Sequence, residues 1–279
     1  MNIQTKASFK KELLSYFRTH RFLTIALVII GLALLSPLLI AGMGALMDSM
    51  SELYAEMGTD VSEMTEILTE STSTGVESSI DSVNVVGLIV MILLLTRAAG
   101  GEQKKRSVII PKSAGLRSFA YIFPKFIIYP LSAFVLAIVA AFISWAVSIP
   151  LFDVNDVGFN GVLLAGVLSG VHLMLYLCFH LTLGTATGKA GMSAAICIAV
   201  VMLVPNLLVV MGTDYMFNPF TINVLAYTSV HFGSLSGSEL MDIAATVAFA
   251  LGIMVVTYFI ALFAQNARKI DNSGSEIDL

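Results

Sequence analysis

Three side chains capable of chemistry lie four residues apart in an apolar stretch: His172, Tyr176 and His180. On a helix that spacing drifts only slowly around one face, so two imidazoles and a phenol would form a single polar stripe. Such a stripe could bind a metal, pass protons or hydrogen-bond a neighbouring helix. A metal or proteolytic site needs further converging ligands, and the apolar runs contain no H-E-x-x-H sequence and no second acidic partner. A proton relay would also want a carboxylate within an apolar run, and none lies inward of Asp81, the last acid of the first outer segment. Hydrogen bonding between helices is therefore the favoured role, with lining of a polar path, joined by Asn206, as the second.

Gly184-Thr185-Ala186-Thr187-Gly188-Lys189-Ala190 comes near the phosphate-binding pattern G-x-x-x-x-G-K-[ST]. It has too few residues between the glycines, lacks the magnesium-binding hydroxyl after the lysine, and follows an apolar helix rather than a strand. The segment reads as a tight turn, and no ATPase site is expected in the chain.

These residues are positioned by an apolar framework. Of the 279 residues 57% are hydrophobic and 12% charged, and the mean hydropathy is +0.89, whereas soluble domains keep about a quarter of their residues charged. Long continuous apolar runs imply helices rather than barrel strands, because each span must satisfy its own backbone in lipid. The expectation is an all-α membrane protein with six transmembrane helices, at about 22–47, 80–97, 121–150, 161–184, 192–212 and 243–265. Cys178 and Cys197 fall inside two of these runs as small apolar residues. Small-residue faces at Ala133, Ala137, Ala141, Ser144 and Ser148, at Gly166 and Gly170, and at Ala244, Ala248 and Gly252 are packing signals. Pro205-Asn206 predicts a kink.

Positive charge fixes an orientation. All fifteen lysines and arginines fall before the first run, between the second and third or at their inner ends (Arg97, Lys125), between the fourth and fifth, or after the sixth. Most of the nineteen acids fall in the other connections, so the rule that cations stay inside puts both termini in the cytoplasm. Three further devices are expected. Residues 1–21 read as an amphipathic interfacial helix with Phe9, Leu13, Tyr16 and Phe17 on one face. Outside the membrane, residues 48–75 carry a heptad seam, Met50, Tyr54, Met57, Val61, Met64 and Leu68, that ends in a flexible connection at Ser71–Gly75. Residues 213–240 are almost uncharged, and Asn218-Pro219-Phe220 predicts a turn into a short helix dipping into the outer leaflet. Residues 270–279 form a cytoplasmic tail.

The cytoplasmic connection, 98–120, is basic yet contains Val108-Ile109-Ile110-Pro111. Apolar residues between cations can dock into a partner's groove, and the cations also favour anionic lipid. A leading amphipathic helix, six spans, a glutamate after span two followed by a basic stretch and a Pro-x-Ser-like element, a lysine opening span three and a reentrant segment before span six resemble the permease subunits of type-2 ABC transporters. The resemblance implies a coupling segment that touches an ATPase subunit, here Glu102, Lys104, Lys105, Arg106, Ile109, Ile110, Pro111, Leu116 and Arg117. It implies two ATPase copies carrying the ATP and magnesium, a second permease copy or paralogue, and location in the cell membrane. The expected function is export of an amphipathic or hydrophobic substrate, with a cationic antimicrobial-type or toxin peptide as the best guess. A membrane-embedded enzyme using His172 and His180, and a non-transporting anchor or sensor, are the alternatives.

Overall fold

A computed structural model describes residues 3–50, 71–102, 115–211 and 218–267. Regular structure among them is entirely helical, with one isolated bridge between Ser71 and Val154. Helix α1 is Ile3–Arg18, and His20, with φ of 57°, turns the chain into α2, Arg21–Ser49. Helix α3 runs without a break over Thr72–Gly101 and includes two π-helical segments, Val83–Gly87 and Arg97–Gly101. Then come α4, Ser118–Ser148, α5, Phe159–Thr187, and α6, Ala190–Met211. A 3-10 turn at Pro219–Thr221 leads into α7, Ile222–Thr228, a second 3-10 segment at Ser229–Ser234, and α8, Gly237–Ala267.

Five of these, α2, α3, α4, α5 and α8, are long and apolar enough to cross a membrane, and α6 contributes a shorter apolar stretch, Ala190–Val204. The chain is a multi-pass helical membrane protein. Helix α5 is its axis: 72% of its most apolar window is buried, against 22% for α8. Leucines of α2 and large apolar residues of α8 such as Val255, Phe259 and Phe263 face outward, as lipid-facing surface must. The small-residue face of α4 packs inward, with Ser144 and Ser148 against Gly75 of α3 and Ala141 against Gly166 of α5. Ala133, Ala137, Ala141, Ser144 and Ser148 are all buried, and a Cβ on Gly170 would stand 2.5 Å from Cδ2 of Phe134.

Several expectations change. Ser71–Gly75 is not a flexible connection but the start of α3, since the Ser71 hydroxyl accepts from Ser73 N–H, Thr72 N–H donates to Val154 O at 2.9 Å and Ser73 N–H donates to Asp156 Oδ1 at 3.0 Å. Those contacts satisfy amides that a helix start leaves bare. Glu77 and Asp81 therefore belong to the continuous helix rather than to a loop. Helix α4 begins at Ser118, so Lys125 lies inside it. The Ala244, Ala248 and Gly252 face of α8 turns away from the bundle, which is contacted instead by Ile243, Thr246, Ala250, Met254, Thr257 and Ala261. In α1 the buried face is Thr5, Glu12 and Tyr16, while Leu13 and Phe17 are exposed. Tyr16 of the expected face turns to α4 together with Glu12, because Ser132 and Tyr129 offer them hydrogen-bond partners, while Leu13 and Phe17 stay on the outer side that an interfacial helix gives to lipid. The heptad seam beyond Met50 and the tail after Ala267 lie outside the described residues.

Candidate functional site

The end of α3, the start of α4 and helix α1 meet in a buried polar node. Lys125, 2% exposed, occupies the second turn of α4. Its ammonium donates to Glu102 Oε2 at 2.7 Å, to Ala98 O at 2.9 Å and to the Tyr121 hydroxyl at 3.1 Å, and lies 4.4 Å from the Tyr121 ring centroid. All three ammonium protons are thus used. Tyr121 in turn donates to Glu102 Oε2 at 3.0 Å. Burial pushes the Glu102 carboxyl up, but the Lys125 charge and the hydrogen bonds from Lys125 and Tyr121 outweigh it and hold the group below its ordinary value.

Why the node sits here follows from α3. A π turn loosens the regular hydrogen-bond ladder. In Arg97–Gly101 the carbonyl of Ala98 accepts from Lys125 and that of Ala99 from the Thr185 hydroxyl, at 3.4 Å. Helix α5 approaches so closely that a Cβ on Gly100 would stand 2.7 Å from Gly184 O, and one on Gly184 would stand 2.7 Å from the Ala99 Cβ. Two glycines allow the backbones to touch.

Helix α1 buttresses the node from the other side. Tyr129, one turn beyond Lys125, donates to buried Glu12 of α1. Tyr16 shares a hydrogen bond with Ser132 at 3.0 Å and packs edge-on to Tyr129 at 5.0 Å. Burial raises the Tyr16 phenol against the lowering effects of Ser132 and Arg21. A groove of about 460 Å³ opens beside the node, lined by Gln4, Ser8, Lys11, Glu12, Leu116 and Tyr121 among others. Gln4 crosses to Gly115 O at 3.2 Å, so α1 is tied to the far end of the basic connection as well.

Of the expected coupling residues, Glu102, Leu116 and Arg117 are placed. Glu102 anchors the node, Leu116 lines the groove, and Arg117 stands at the N-cap position of α4 with its side chain exposed and not capping. Lys104, Lys105, Arg106, Ile109, Ile110 and Pro111 lie outside the described residues. The node's other members Tyr121, Glu12 and Tyr129 went unread in the sequence, and Tyr16 was read only as part of the amphipathic face. Lys125 was the available signal, because a lysine flanked by Pro124 and Phe126 in an apolar helix demands a buried acceptor.

The His172, Tyr176 and His180 stripe is fully buried in α5, at 2%, 1% and 0% exposure. The rings of His172 and Tyr176 pack at a 57° tilt with centroids 4.8 Å apart, while His180 serves a different neighbour. Ser193 at the start of α6 donates to His180 O at 2.7 Å, so its oxygen is left to accept from His180 Nδ1 at 2.9 Å. That fixes the proton on Nδ1 and leaves Nε2 an acceptor. His180 Nε2, His172 Nδ1 and the Tyr176 hydroxyl have no hydrogen-bond partner among the described residues. Asn206 lies on α6, and its side chain is outside the described residues. Among the described residues no group of three metal-ligating side chains converges.

Beside this stripe runs a satisfied one. Ser169 of α5 donates to Asn84 Oδ1, Asn84 donates to Asn223 Oδ1 at 2.6 Å, and Asn223 donates to Asp81 at 3.2 Å. It joins α5, the first π segment of α3 and α7 across the bundle. At the end opposite the node, His231 Nε2 meets Glu77 Oε1 at 3.0 Å, and its Nδ1 lies 3.9 Å from Asp156. Hydrogen bonds from Ser71 and Ser73 outweigh burial and hold the Asp156 carboxyl below its ordinary value. The Gly184–Lys189 turn is a helix cap: Gly188 takes φ of 68° and its N–H returns to Gly184 O.

Comparison with protein-family models and with curated proteins gives no match for this chain.

Proposed function

We propose that this chain is the permease subunit of an ATP-driven exporter, with six spans, both termini cytoplasmic, and hydrolysis carried out by a separate subunit. The observation that carries the reading is the Lys125–Glu102–Tyr121 node, which clamps both helices flanking the basic connection and braces them on α1. A loop that transmits force needs rigid ends. Movement of 102–117 by an ATPase would displace α3 and α4 together, and α5 with them through the Gly100–Gly184 crossing. The fifth span is α6, and the one-sided placement of lysines and arginines sets the topology.

The ATPase pair supplies ATP and magnesium, and a second permease copy or paralogue completes the transporter. The substrate is amphipathic or hydrophobic, with a cationic peptide favoured because the exterior connections are acidic. The three unpartnered atoms of the α5 stripe, His172 Nδ1, the Tyr176 hydroxyl and His180 Nε2, support a polar path, since a buried polar atom left without a partner in one state gains one when the helices open.

Inverted membrane vesicles holding the chain and its ATPase should take up a labelled cationic amphipathic peptide when ATP is added. Vesicles lacking either subunit should not. Equal uptake without this chain overturns the proposal.

A further inference from the structure

Helix α1 has three sides, and the fold explains only two of them. Thr5, Glu12 and Tyr16 are buried, the last two hydrogen-bonded to α4, and Gln4, Ser8 and Lys11 border the groove. On the third side Ile3, Leu13, Leu14 and Phe17 are 85%, 37%, 54% and 51% exposed. Lys6 and Lys10 are exposed as well. At helical spacing these six residues occupy one arc of about 100°, with both lysines set among the four apolar side chains.

Water is a poor partner for that arc, and its side chains stay exposed among the described residues. Its position identifies the occupant. Helix α1 ends at Arg18 and the apolar helix α2 starts at Arg21, with a left-handed residue, His20, turning the chain between them. Phe17 and Phe22 pack at 4.7 Å across that turn. The turn and this contact keep the end of α1 beside the start of α2, the level at which an apolar span enters the membrane. A surface helix at that depth buries apolar side chains at the acyl boundary, and lysines among them extend their stems there and raise their ammonium groups to the phosphates.

We infer that Ile3, Leu13, Leu14 and Phe17 with Lys6 and Lys10 form a binding face for anionic phospholipid. The lipid contact would also reach the node. The opposite face of the same helix holds Tyr129 through Glu12, one turn from Lys125, so α1 is fixed between headgroups and the α4 start. The partner chemistry is a phosphodiester headgroup carrying net negative charge; a zwitterionic lipid supplies the apolar contact without net charge complementarity.

The test uses the full chain in vesicles of phosphatidylglycerol and phosphatidylcholine in equal parts, extracted gently and analysed by native mass spectrometry for retained lipid. The unaltered chain should retain phosphatidylglycerol preferentially. Lys6→Gln with Lys10→Gln should lower that preference roughly tenfold or more, each surface lysine being worth about 1 kcal/mol against anionic lipid. Lys11→Gln, which removes one charge from the groove side of the same helix, should change it little. An unchanged preference in the double variant, or an equal loss in Lys11→Gln, overturns the inference. So does a photoreactive group at position 14 that joins the chain to a second copy or another protein rather than to lipid. Because retention needs no ATP or partner, failure here leaves the export reading standing, and success does not depend on it.

Discussion

Replacing Lys125 with methionine is expected to destabilise the protein by about 3–5 kcal/mol, the range found when one member of a buried ion pair is removed. The variant takes the adjoining Lys125 charge away from Glu102 and leaves Ala98 O without its donor. Adding Glu102→Gln removes the remaining charge and should recover part of the loss. That recovery separates the pair from simple packing damage. Acid should act on the same contact. The folded Glu102 carboxyl is held below its unfolded value of 4.5, so its contribution is complete above that value and is lost as the pH falls through the lowered folded value. Lys125→Met should lose this acid-dependent part. Reversible unfolding in mixed micelles, followed by helical circular dichroism, measures all three. A loss under about 1 kcal/mol, as for exposed pairs, would mean that the node bears no load.

Opposite signs are expected from one substitution made at two glycines. At Gly184 a new Cβ would stand 2.7 Å from the Ala99 Cβ and 2.8 Å from its carbonyl carbon. Neither neighbour is the far end of a flexible side chain, so α5 and α3 must separate. Gly184→Ala should cost about 1–3 kcal/mol as overpacking. At Gly191 a Cβ would meet nothing within 4 Å, and alanine there should stabilise α6 by up to about 1 kcal/mol. The same micelle unfolding measures both. Because the Gly100–Gly184 crossing joins the π segment of α3 to α5, Gly184→Ala should also impair ATP-driven uptake, whereas Gly191→Ala should leave it intact. Equal stabilities for the two variants would mean that α3 and α5 are not in backbone contact at this point.

Helices and their order were legible in the sequence because hydrophobic run length is a local property. The Asn218 turn was legible for the same reason: Asn218 Oδ1 accepts from Phe220 N–H at 3.1 Å, within three residues. What was lost is non-local. Ser71–Gly75 looks like a linker until Val154 and Asp156, more than eighty residues on, accept its amides. Asn84 and Asn223 are unremarkable singly and form a pair only in the folded bundle. Helix α1 shows the same limit, since its pattern predicted an amphipathic helix but not which side α4 would take. Glu102 was singled out by the family resemblance, which gave no indication of the contacts it makes in the fold. Tyr121 and Lys125, four residues apart, supply two of them from one face of α4.

The central claim is that an ATPase grips the basic connection whose ends the node holds. The most direct measurement is copurification of the full chain with its ATPase subunit, using the unaltered chain and one carrying Lys104→Glu, Lys105→Glu and Arg106→Glu. The account predicts a stable complex with the unaltered chain, and its loss on charge reversal while the chain remains folded in the membrane. An ATPase that never associates, or one that binds the reversed chain equally well, would contradict it.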